Sequence, residues 1–330
     1  MASLLGSFAE WITPDTIGKL GQAVGLDASQ TQKGLDIVGP LVLGSLAQKS
    51  QTVTGMDSIM RLLPEDIGSG FLGRLLGAAG GPPTPASASL LTSVLGPGIS
   101  SIGKALSGRL GFNVAPLIAT AAPAILGMIS KTAKENKLSS MDIASLLQQE
   151  HKTVMASAKP EVQAVLNEAF SLSNKAESLK SLFTDDEWKK IKLAPMAVTF
   201  YVVSASPSGI AGLSKEVLAA GEGMKSIVKE AQPTSLVDVA FGSFEGKLDE
   251  ESGVIDERSP RTSMLGVVKA AASAVKTKTP ADTKAFGDTL VKLSRHVAEA
   301  SKEGGFLGIG GTRVSAEEEH AIAEITAALG

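Results

Sequence analysis

Apolar residues recur along this chain at the spacing of one helix face. Leu35, Val38, Val42 and Leu46 fall three or four positions apart, as do Val162, Val165, Leu166, Ala169 and Phe170, and later Phe286, Leu290, Leu293 and Val297. Start and stop signals frame these stripes. Leu4, Leu5, Phe8, Trp11 and Ile12 predict an amphipathic helix over 3–12, and Pro14 opens a short second one. Gly25 ends that helix, and Asp27 or Ser29 caps a third running to about Lys49, with Pro40 predicted to kink or divide it. Thr54 and Met56–Leu63 give the next helix. Capping boxes start others at Ser139 with Asp142, Thr184 with Glu187, and Ser315 with Glu318, the last leading a helix whose inner face is Ile322, Ile325 and Leu329. Ser214 predicts a helix to about Ala231, and Ser235 with Asp238 one carrying Leu236, Val239, Ala240 and Phe244. Thr279 is the predicted cap of a long helix whose first residue is Pro280 and which Gly304-Gly305 stops. Val198–Val203 alone has the β-branched and aromatic content of a strand. The predicted class is all-α.

One stretch of the pattern occurs twice. Residues 40–63 and 123–147 both open on Pro, continue through an aliphatic-Leu-Gly run and a Lys-bearing polar stretch, and reach Met-Asp and a Leu pair. Gly111-Phe112-Asn113 stands where Gly25-Leu26-Asp27 stood. Leu126 follows Leu43 by 83 positions, whereas Met141 follows Met56 by 85, a difference expected in the turn between Lys49 and Thr54. The pattern predicts two helical hairpins with a shared scaffold.

The unit from Gly25 to Leu63 resembles the YidB-like bacterial family, whose function is unknown. The resemblance rests on the turn Gly25-Leu26-Asp27, on Pro40-Leu41, on Leu43-Gly44-Ser45-Leu46-Ala47 and on Ser50 to Gly55, and it spans about 20–150. The second copy diverges, with Lys131-Thr132-Ala133 in place of Gln48-Lys49-Ser50. The resemblance implies small helical modules and carries over no catalytic residue.

Charge and helix length change near 151. The expected organisation is therefore a duplicated domain over 1–150, with units at about 20–65 and 106–150 and a Gly/Pro linker at 80–85. A second helical domain is expected over 151–330, with a charged loop at 246–262.

Composition narrows the chemistry. The chain has 330 residues, a formal net charge of −3 and no cysteine, so disulfides and thiolate ligands are excluded and nothing in the bulk charge draws nucleic acid. Aromatic residues are 4% of the chain, too few for a stacking platform. The first residues lack the basic start of a secretory signal, and Ala2 lacks the glycine that myristoylation needs. Residues 110–130 and 193–213 are uncharged over 21 positions each, but each holds two prolines; buried core helices are expected, with membrane spans the alternative.

No motif carries chemistry by itself. Gly304–Gly311 before a helix start could hold an anion or a partner through Gly308, Gly310, Gly311 and Arg313, but its spacing fits neither a dinucleotide loop nor a P-loop. A tight connection plugged by Phe306, Leu307 and Ile309 is the plainer expectation. His151, His296 and His320 lack metal-ligand spacing and are expected to be solvated, although His320 with Glu317 and Glu324 could touch a cation. Asp185-Asp186-Glu187 and Asp249-Glu250-Glu251 lack calcium-loop spacing. Lys189, Lys190 and Lys192 beside Trp188 read as an exposed face, with membrane contact as the sharper alternative. The expectation is a non-enzymatic structural or interaction protein of the bacterial cytoplasm, self-associating or docking on a larger assembly, with no cofactor. A membrane-associated envelope protein and an enzyme built from scattered residues are the alternatives.

Overall fold

The computed structural model describes Leu4, Gly6 and residues 12–64, 85–205, 213–242, 260–300 and 314–330. Most of the predicted helix over 3–12, the linker at 80–84, the loop at 246–259, Phe244 and Gly304-Gly305 lie outside the described residues. The described residues are helical, with no strand among them. The chain divides into two units, 1–175 and 176–330.

The first unit contains α1 (Pro14–Val24), α2 (Ala28–Lys49), α3 (Val53–Leu62), α4 (Pro85–Leu95), α5 (Ile99–Leu110), α6 (Ala115–Glu135), α7 (Ser140–Ser157) and most of α8 (Pro160–Lys180). Its axis is α2, which packs against α1, α3, α4, α6 and α7. Every residue from Ile37 to Ala47 is buried, so this helix is apolar all round rather than amphipathic. Asp27 starts it with a reciprocal box: Gln30 N–H donates to Asp27 Oδ1 at 2.8 Å, and Asp27 N–H donates to Gln30 Oε1 at 3.1 Å. Pro40 does not divide it. The carbonyl that loses its donor there belongs to Asp36, an exposed position, and the enclosed run beyond it is held by packing.

The duplication is visible as a repeated helix trio. Gly25 ends α1 at φ 72°, and Gly111 ends α5 at φ 76°, both in the left-handed region that glycine enters without strain. A long helix with an internal proline follows each, α2 with Pro40 and α6 with Pro123, and then a helix started by a hydroxyl cap, Thr52 for α3 and Ser139 for α7. The cap of α3 is Thr52, and Thr54 lies inside the first turn. The copies also differ in register within the long helices, not only in the turns. Pro40 stands twelve positions after the first residue of α2 and Pro123 eight after that of α6.

The division after Lys175, instead of near 150, follows from packing. Ile143, Leu147, Val165, Leu166 and Phe170 enter the core of the first unit, so α7 and most of α8 belong to it despite their more charged texture.

The second unit contains α9 (Asp185–Val203), α10 (Leu213–Glu230), α11 (Leu236–Phe241), α12 (Pro260–Lys278), α13 (Thr283–Ala300) and α14 (Ala316–Leu329). Its axis is α9, which packs against α10 to α14. Thr184 and Glu187 box its start, and Ala194–Thr199 are all buried. Val198–Val203 therefore lie in a helix: enclosure on an axis nucleated at Thr184 outweighs their β preference. Thr279 does not cap. Its hydroxyl donates back to the Val275 carbonyl at 3.4 Å, Pro280–Asp282 form a 3-10 turn, and α13 starts at Thr283. Ser214 falls inside the first turn of α10. Ser235 and Ser315 cap as predicted, the latter in a full box with Glu318.

Candidate functional site

Buried polar groups show where a helical fold can do more than pack, because each must be matched or leave a cost. The first unit gathers several around the second half of α2. Gln148 on α7 donates its side-chain N–H groups to the Ala47 carbonyl and to Ser50 Oγ, the latter at 3.2 Å, which ties α7 to the end of α2. The next buried group on α7 is Glu150, whose Oε1 accepts the N–H of Leu4 at 3.1 Å. His151 follows. Its ring meets Phe170 of α8 edge-on, with centroids 5.4 Å apart and planes at 85°. It also lies against α2 at Gly44, where a Cβ would collide with the Phe170 ring and come within 2.8 Å of His151 Nδ1. The Nδ1 atom is buried without a hydrogen-bond partner, as is Ser45 Oγ on α2. Burial lowers the His151 pKa from the usual 6.5.

The second unit has a better-satisfied cluster. Tyr201, near the end of α9, donates its hydroxyl to Glu324 Oε2 on α14 at 2.8 Å. Arg261, in the first turn of α12, donates to the same oxygen at 3.3 Å and to Ser204 Oγ at 3.4 Å. Its guanidinium carbon sits 4.3 Å from the centre of the Tyr201 ring, in cation–π contact. His320 Nε2 lies 3.7 Å from the other oxygen of Glu324. Burial pushes the Tyr201 pKa up, and the hydrogen bond to Glu324 adds to the rise. Donor and acceptor satisfy one another here, so the arrangement works as a clamp joining α9, α12 and α14.

Gly308, Gly310, Gly311 and Arg313, and the plug residues Phe306, Leu307 and Ile309, lie outside the described residues, as does Asp249-Glu250-Glu251. Of the histidines, His296 and His320 are exposed, whereas His151 is half-buried, contrary to the expectation of solvation. Its sequence did carry a signal. Leu147 and Val154, four before and three after it, are both core residues, so His151 stands on the apolar side of α7. No group of three His, Asp or Glu able to hold a metal occurs among the described residues. Asp186 pairs with Lys190, and the Glu187 carboxylate accepts the Thr184 N–H at 2.8 Å, which holds the Glu187 pKa down. Trp188 is buried against Phe183, so it is not available beside Lys189 and Lys192 for lipid contact.

Each copy of the repeat has one large apolar side chain exposed at a helix start, although the two positions are not equivalent. Val53 in the first turn of α3 and Met141 in the first turn of α7 are each 80% exposed, and Met60 lies two turns beyond Val53 on α3, 41% exposed.

Residues 7–132 match the family described as bacterial protein of unknown function (DUF937). The first unit thus carries a domain of that uncharacterised bacterial family, in agreement with the YidB-like resemblance of its repeat. No curated protein and no solved structure matches the chain.

Proposed function

We propose that this chain is a non-enzymatic helical interaction protein of the bacterial cytoplasm that works by associating with itself or by docking on a larger protein assembly. The observation that carries the reading is the pair Val53 and Met141. Each is a large apolar side chain presented to solvent in the first turn after a hydroxyl cap, one in each copy of the repeat, although the counterpart of Met141 in the first copy is the buried Met56. An exposed valine or methionine gains nothing in the isolated fold; burying such a side chain against a partner contributes on the order of 1.5–3 kcal/mol. The polar groups support the same reading. Tyr201, Arg261 and Glu324 are engaged with one another, and the Asp27 carboxylate serves as a helix cap.

Native mass measurement on the protein isolated from its source tests this. An oligomer, or a stoichiometric protein partner, is the expected result; a monodisperse monomer with nothing bound contradicts it.

Among the described residues, the one helix long and apolar enough to cross a bilayer is α6. In this fold 61% of its most apolar window is buried, with Leu117, Ile118, Ala121, Ile125 and Ile129 in the core around α2. Those side chains already have protein neighbours, which favours the interaction reading. Recovery of the protein only with detergent would reverse that preference.

A further inference from the structure

We propose that His151 is an acid-operated latch, holding α7 on the central helix α2 while its ring is neutral and loosening that contact when the ring takes up a proton. The inference does not rest on the interaction reading above. Its basis is the fit of an ionisable ring into an apolar joint. His151 projects from α7 over the backbone of α2 at Gly44, and a side chain at that position would collide with Nδ1 at 2.8 Å. Phe170 of α8 closes the other side, edge-on at 5.4 Å. Nδ1 is buried and makes no hydrogen bond. A proton there creates a cationic N–H with no acceptor, pressed against an aromatic ring and a helix backbone whose own groups are committed.

Among the described residues no charge stands by to compensate. Among the described residues, the positions one helical turn to either side of Gly44, His151 and Phe170 carry no ionisable side chain. The nearest along the chain are Glu150, which holds the Leu4 N–H; Lys152, exposed on the next position; and Glu168, paired with Arg109 at 2.6 Å. Burial by itself depresses the basicity of the ring, with no charged neighbour contributing. The unfolded chain therefore binds this proton more readily than the folded one. The latch is fully closed above the ordinary histidine value of 6.5 and weakens as pH falls below it.

The test uses the full chain and compares wild type with His151→Phe, which keeps a flat ring but cannot titrate. Amide hydrogen exchange is followed in α7, α8 and the 37–47 run of α2 between pH 7.5 and 5, corrected for intrinsic exchange rates, with α12 and α13 of the second unit as internal controls. Wild type is expected to lose protection in the first unit on acidification, by about tenfold for each pH unit that separates the buried from the unfolded imidazole. In His151→Phe the first unit is expected to lose no more protection than α12 and α13 do. Should the phenylalanine overfill the joint, His151→Gln gives the same comparison with a neutral polar side chain. His151→Arg, permanently charged, is expected to show the acid behaviour already at pH 7.5. Equal acid-induced loss in wild type and in the neutral variant, or full protection in wild type at pH 5, overturns the proposal.

Discussion

Helices α2 and α9 stand at the centre of their respective units, and the two are enclosed by different means. Both start at a capping box, both contain a proline, and both have a stretch buried on every side. Around α2 the neighbours approach the backbone itself. Gly34 faces Leu117, and Gly44 faces Phe170 and His151. Around α9 the space is filled by large side chains, with Trp188 against Phe183 and the Tyr201 ring under Arg261, while Phe241 meets Phe286 elsewhere in the same core. Polar groups next to the two axes differ as well, although the second unit also holds an unmatched buried hydroxyl, Thr283 Oγ1 at the start of α13. Thr199 on α9 returns its hydroxyl to the Pro195 carbonyl at 2.8 Å, and Tyr201 is matched by Glu324, whereas Ser45 on α2 and His151 beside it are left without partners. Close backbone approach leaves little room for side chains to complete one another's hydrogen bonds. Filling with long aromatic and charged side chains allows it.

The contrast is broken most directly at Gly44. Gly44→Ala is expected to destabilise the first unit by about 3 kcal/mol, because both obstructing groups are rings held in place. Gly34→Ala should cost less, since the end of a leucine can turn aside. Urea unfolding with separate probes for each unit measures both, and equal costs would undo the distinction. In the second unit Tyr201→Phe removes only the hydroxyl and is expected to cost about 1 kcal/mol, leaving Glu324 with Arg261. If the clamp is structural, thermal unfolding of Tyr201→Phe will show a lowered midpoint while the cation–π stacking preserves the fold.

The helix starts should respond alike in the two units. Asp27→Ala and Thr184→Ala each remove a box and are expected to lose about 1 kcal/mol. A much larger loss at one would mean that the two axes are not comparably nucleated. The smallest effect concerns pH. Hydrogen bonds from Ser139 hold the Asp142 pKa down, and the Thr184 N–H does the same for Glu187. Their contributions are present above the ordinary carboxylate range and lost as pH falls through the depressed folded values. Asp142→Asn and Glu187→Gln should slightly flatten the acid limb of a stability–pH curve below about pH 4; a steeper limb in either variant would contradict the capping account.

Much of this was legible in local sequence. The equivalence of Gly25 and Gly111 could be read because a left-handed helix stop has a residue preference of its own. The boxes at Ser139, Thr184 and Ser315 could be read because they depend on side chains three positions apart. What escaped depends on distant residues. Pro40 reads as a break until the packing around α2 is known, and Val198–Val203 read as a strand until α9 is seen to be enclosed. Thr279 has the composition of a cap, yet its hydroxyl turns back to the helix before it. The Tyr201–Arg261–Glu324 clamp joins positions far apart in the chain, and nothing near any one of them announces the others. Val53 looks like a core residue by type and by its spacing from the buried Met56, yet as the first residue of α3 it is exposed.

That exposure bears the functional proposal, and the absence of cysteine makes it accessible to one clean measurement. Val53→Cys, Met141→Cys and, as an exposed control in the turn before α7, Lys137→Cys each give a single attachment point for a photo-crosslinker. Crosslinking in the source cell, followed by mass identification, should yield the same protein adduct, a second copy or one partner, from positions 53 and 141 and not from 137. No adduct, or equal unspecific labelling at all three positions, would contradict the account.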